Sequence, residues 1–122
     1  MMLEPPQPSP PSPSEIQDRL RDVSRMLRQS KSIDQQSRQA LAELVDELSK
    51  SLHGQNVPPA EVSRLAESTA HLVESLHHQE RRGFLGTARE GLERAAFEAE
   101  NQHPILVGLA RKVVDVLAGF GI

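Results

Sequence analysis

The chain has 122 residues and a formal charge of −3 at neutral pH, which fits one modest domain and is too weak a balance to mark a polyanionic partner or an acidic tail. It contains no cysteine, tryptophan or tyrosine, which excludes a disulfide framework, a thiolate metal site and a tyrosine or tryptophan platform for nucleobases. Hydrophobic mass comes from Leu, Val, Ile and Ala, with Phe84, Phe97 and Phe120 the only aromatics; that mix favours helix over sheet.

Residues 1–13 read as a disordered, Pro-rich tail. Prolines at 5, 6, 8, 10, 11 and 13 forbid helix and favour polyproline II. Three overlapping P-x-x-P patterns start at Pro5, Pro8 and Pro10. They match the ligands of SH3-type grooves, but such patterns arise freely in Pro-rich sequence and a spacer is the plainer reading. Met1-Met2-Leu3-Glu4-Pro5 lacks the basic start and apolar run of a signal peptide. No apolar stretch reaches the roughly 20 residues that span a bilayer. The expected location is the cytoplasm.

Residues 14–122 read as a single all-α domain, bundle-like or coiled-coil-like, that opens with a helical hairpin over about 14–54. The first helix starts at Ser14, where Ser14-x-x-Gln17 forms a capping box, and carries the stripe Ile16, Leu20, Val23 and Leu27. The second has a capping box at Ser32-x-x-Gln35, the stripe Leu41, Leu44, Val45, Leu48 and Leu52, and Gly54 as its terminator. The short link between them predicts an antiparallel pair.

A third helix over about 58–80 opens at Pro58-Pro59 and lines one side with Val62, Leu65, Ala66, Thr69, Val73 and Leu76. Glu80-Arg81-Arg82, Gly83 and Gly86 predict a break before a C-terminal helix pair over about 87–119. The fourth helix, from about Thr87 to Glu100, presents Leu85, Ala88, Leu92, Ala96 and Ala99, and its small residues Gly91, Ala95 and Ala99 would admit a close neighbour. Asn101-Gln102-His103-Pro104 ends it, and the fifth helix runs from Pro104 to about Ala118.

Few constellations carry chemistry. Glu74-x-x-His77 and Glu100-x-x-His103 match the Glu/His spacing of helical di-iron sites. However, Glu67, His71, Glu74 and His78 fall opposite the apolar stripe of their helix, where a solvated face is expected rather than an inward metal site. His103 stands before Pro104, a position suited to capping the last helix or bonding a loop carbonyl. The pair His77-His78 could sense pH only with a buried partner to switch against. Arg21, Arg25 and Arg28 share a face of the first helix with Lys31 nearby. Acidic neighbours leave too small a positive excess there for a nucleic-acid footprint. No phosphate-binding glycine loop and no nucleophile elbow occurs. The sequence therefore predicts no catalytic residue, no cofactor and no metal ligand.

The fifth helix is unusual. Turned at 100° per residue, its apolar positions fill more than half the circle, wider than one buried stripe needs. The excess predicts a homo-oligomer through Val107, Val114, Leu117 and Phe120, unless the hairpin folds back over the helix. A membrane-surface role is disfavoured because Arg111 and Lys112 are its only basic residues.

The sequence from Ala96-Phe97-Glu98 through His103-Pro104 to the apolar ending Val114–Ile122 resembles a family of small bacterial proteins known only as a domain of unknown function. Phe120 stands where that family more often carries a smaller apolar residue. The resemblance implies an all-helical fold, an opening hairpin and a bacterial origin, and it implies no activity. The function expected is protein–protein interaction, self-association above all. A peripheral membrane accessory protein is the alternative, and a surface metal-binding helical protein a distant one.

Overall fold

The computed structural model describes residues 13–53, 59–79 and 81–122. They form five helices: α1 (Pro13–Gln29), α2 (Gln35–Leu52), α3 (Ala60–His77), α4 (Arg82–Glu98) and α5 (Pro104–Gly119). No strand occurs among the described residues. The expected tail lies outside them apart from Pro13, which opens α1 as a first-turn proline. Gly54 and Pro58 lie outside them too.

α2 sits at the centre, against α1, α3 and α5; α3 also touches α1 and α4, and α4 closes the bundle against α5. The predicted stripes are the buried faces. Ile16, Leu20, Val23 and Leu27 of α1 and Leu41, Leu44, Val45, Leu48 and Leu52 of α2 are all buried, and so are Val62, Leu65, Ala66, Val73 and Leu76 of α3. α3 buries more than its stripe: Ala70, Leu72 and Ser75 are also covered, because this helix has neighbours on three sides. Ion pairs straddle the seams, Arg19–Glu74 at 3.5 Å between α1 and α3, Arg64–Glu98 at 2.7 Å between α3 and α4, and Lys112–Glu43 at 3.0 Å between α5 and α2. Each is worth at most about 1 kcal/mol at the surface, so the apolar seams hold the fold and the pairs help set register.

Helix boundaries depart from expectation in three places. α2 is capped by Asp34, whose carboxylate accepts from the backbone N–H groups of Gln36 (2.8 Å) and Ser37 (3.3 Å), and the Ser32–Gln35 box does not form. Aspartate caps as well as serine does. Ser32 is thereby released to donate its hydroxyl to the Leu76 carbonyl at 3.2 Å, which ties the α1–α2 turn to the end of α3. α3 ends at His77 and α4 begins at Arg82 rather than near Thr87, so the helices part before Gly83 and Gly86, at the charged end of the expected break; Glu80 lies outside the described residues. Gln79 makes the turn with φ of 54°, a left-handed conformation usually left to glycine. Gly83 and Gly86 continue as helix, since a helical glycine costs only about 1 kcal/mol and burial of Leu85 and Ala88 offsets it. Gly91 makes no close approach, for a Cβ added there would meet nothing within 4 Å. Ala95 and Ala96 of α4 and Ala99 at its C-cap are buried.

Candidate interaction surface

An open groove of about 1190 Å³ lies between α1 and α2. Leu20, Leu27 and Val45 form its floor; Gln17, Ser24, Gln35, Gln39 and Ser49 line its walls. Its charged groups are largely spent on the protein itself. Arg21 lies 3.5 Å from Asp18, Asp46 is 3.4 Å from Lys50, and Glu43 is held by Lys112. Ligand sites concentrate a few convergent polar groups in an apolar pocket; this groove is the polar seam of a helical hairpin.

Arg38, at the end of the groove, was not singled out by any sequence pattern. Its Nη2 donates to the carbonyls of Ser30 (2.5 Å) and Ile33 (3.0 Å). Carbonyls near a helix end have no intrahelical partner, so this guanidinium closes the α1–α2 turn by satisfying them. Arg38→Ala is expected to cost about 1.5–3 kcal/mol, the worth of hydrogen bonds to a charged donor. Arg25→Ala or Arg28→Ala, at exposed positions, should cost less than about 0.5 kcal/mol. Urea denaturation of the three variants checks the contrast.

The polar face of α3 lies where the sequence placed it. Glu67, His71 and His78 are exposed, and Glu74 faces Arg19 of α1. No three of His, Asp and Glu come together around a metal-sized space among the described residues. The His77 and His78 rings meet edge-on with centroids 5.4 Å apart. His77 is partly buried, and its Nδ1 is buried without a hydrogen-bond partner.

His103 occupies the N-cap position of α5, but its side chain makes no capping bond. Its backbone joins the two helices: the N–H donates to the Ala99 carbonyl at 3.0 Å, and its carbonyl accepts the first helical bond of α5 from Val107 N–H at 3.0 Å. Pro104 follows as the first helical residue, which leaves one fewer unpaired N–H to cap. Of the two roles the sequence allowed His103, capping α5 or bonding a loop carbonyl, the side-chain cap does not form.

α5 corrects the sequence reading most. Val107, Val114 and Leu117, expected at an interface between copies, are 3%, 7% and 1% exposed within one chain. Together with Leu106, Ala110 and Val113 they are covered by α2 on one side and α4 on the other. The wide apolar arc exists because α5 lies in a corner and buries two faces. Only Phe120 of the four lies open, at 46% exposure. What remains apolar outside is a strip along one flank: Ile105 at 68% exposure, Leu109 and Val116 partly buried, and Phe120. At 100° per residue these four fall within an arc of about 60°. The other exposed large apolar residues, Phe84 and Phe97, stand about 140° apart around α4 and share no face.

No described helix is long and apolar enough to cross a membrane. Comparison with protein-family models, with curated proteins and with solved structures finds no match. Of the residues that carry the bacterial-family resemblance, Glu98 serves the α3–α4 ion pair and Phe97 lies in solvent.

Proposed function

We propose that this chain is a helical interaction module that associates with further copies of itself through the flank of α5 and carries no catalytic role. The observation behind this reading is the strip Ile105–Leu109–Val116–Phe120, the apolar surplus left on α5 once α2 and α4 have covered the rest. Exposed apolar side chains that share one helix face favour a contact that removes them from water. The strip replaces the surface that sequence alone suggested, with Phe120 common to both. A membrane surface is a poorer partner for it, because the nearest basic residue, Lys112, is held by Glu43 at 3.0 Å, and surface-seeking helices present free Lys and Arg.

Sedimentation at tens of micromolar tests the reading, a concentration at which contacts of about 6–7 kcal/mol are still populated. The wild type should sediment above monomer mass. Ile105→Ser with Phe120→Ser should sediment as a monomer with little change in thermal midpoint, since both side chains already meet solvent. A monomeric wild type overturns the proposal.

A further inference from the structure

The strip on α5 has an internal symmetry. Ile105 and Phe120 mark its ends, Leu109 and Val116 its middle, and both pairs are centred on the same point, between Lys112 and Val113. A two-fold contact requires such self-complementarity, because residue i of one copy must meet j of the other while j meets i. We infer that two copies pair through antiparallel α5 helices about a dyad beside Lys112, with Ile105 against the second copy's Phe120 and Leu109 against its Val116. This rests on the self-association reading above and adds the partner's orientation to it.

Helix dipoles favour antiparallel over parallel pairing, since they oppose one another in the antiparallel arrangement and align unfavourably in the parallel one. The dyad would bring Lys112 close to its symmetry mate, a repulsion in an isolated helix. Here Glu43 of the same chain lies 3.0 Å from the Lys112 ammonium, so each copy brings a neutralised pair to the centre and the four charges can alternate in sign.

The chain has no native cysteine, so single cysteines report orientation cleanly. Ile105→Cys and Phe120→Cys would be made in the full chain, oxidised separately and as an equimolar mixture, beside sedimentation of the wild type. In the antiparallel pair two copies of residue 105 lie about 22 Å apart along the helices, at about 1.5 Å per residue, far beyond the roughly 4.4–6.8 Å between Cα atoms that a disulfide spans. The expected result is a crosslinked dimer from the mixture, containing one of each variant, and none from either variant alone. Self-crosslinking of Ile105→Cys or Phe120→Cys, with the wild type still associated, overturns the antiparallel arrangement and leaves self-association standing. An associated wild type with no crosslink in any sample also overturns it, placing the contact elsewhere. A monomeric wild type removes both readings together.

Discussion

Val107→Glu combined with Val114→Glu is expected to unfold this protein, not to release a folded monomer. Both valines are buried within the chain, between α5 and its two neighbours. Each substitution forfeits about 1.5–3 kcal/mol of apolar burial. An unpaired carboxylate in the same place costs roughly 3–5 kcal/mol more. Together they match or exceed the ~5–15 kcal/mol that holds a small domain folded. Circular dichroism should show loss of helix at ambient temperature. Ile105→Glu with Phe120→Glu provides the contrast, because those positions face water and the helix content should survive. A folded double valine variant would mean that α5 does not pack inside the bundle.

The second large effect belongs to α2. Leu44→Ala and Leu48→Ala should each destabilise the chain by about 2–5 kcal/mol, the range for a leucine removed from a core that cannot collapse around the gap. Both are 0% exposed, on the one helix that touches α1, α3 and α5 at once. A cavity there loosens three interfaces, so the upper part of the range is expected for the position better enclosed. The core offers no aromatic ring to swing into the space, as all three phenylalanines lie outside it. Chemical denaturation measures the loss as a shift in midpoint at constant slope. A cost below about 1 kcal/mol at both positions would show that the seam around α2 is loosely packed.

Much of this architecture could be read from helical periodicity, and the reasons for the failures are specific. A stripe such as Leu41–Leu44–Val45–Leu48–Leu52 names the face that will be buried, because only one side of an amphipathic helix can leave water. It does not name the neighbour. For α1 the distinction was harmless. For α5 it decided the outcome, since an apolar arc produced by two intramolecular neighbours looks the same in sequence as one produced by a neighbour and a partner chain. Capping failed differently. Ser32 and Asp34 both suit an N-cap, and the choice between them turned on whether Ser32 had something else to bond, which is the Leu76 carbonyl from a distant helix. Arg38 was invisible because nothing local marks an arginine that will reach two carbonyls of a preceding turn. Gln79 escaped notice for the opposite reason: the glycines nearby were the conventional place to expect a turn, and the chain put a glutamine there instead.

The placement of the aromatic residues has a spectroscopic consequence. Phe84, Phe97 and Phe120 are the only rings apart from the histidines, and all three phenylalanines are exposed, while the buried interior is built from leucine, valine, alanine and isoleucine. Methyl protons in a protein interior usually owe their spread of chemical shifts to ring currents from packed aromatic neighbours. Here that source is missing, and a well-folded bundle will give a crowded methyl spectrum of the kind taken elsewhere as a sign of a molten interior. With neither tryptophan nor tyrosine, absorbance near 280 nm and near-ultraviolet circular dichroism are also almost silent. Order in this molecule has to be judged by amide exchange, and a tryptophan placed at position 120 would give it an optical reporter without disturbing the aliphatic interior.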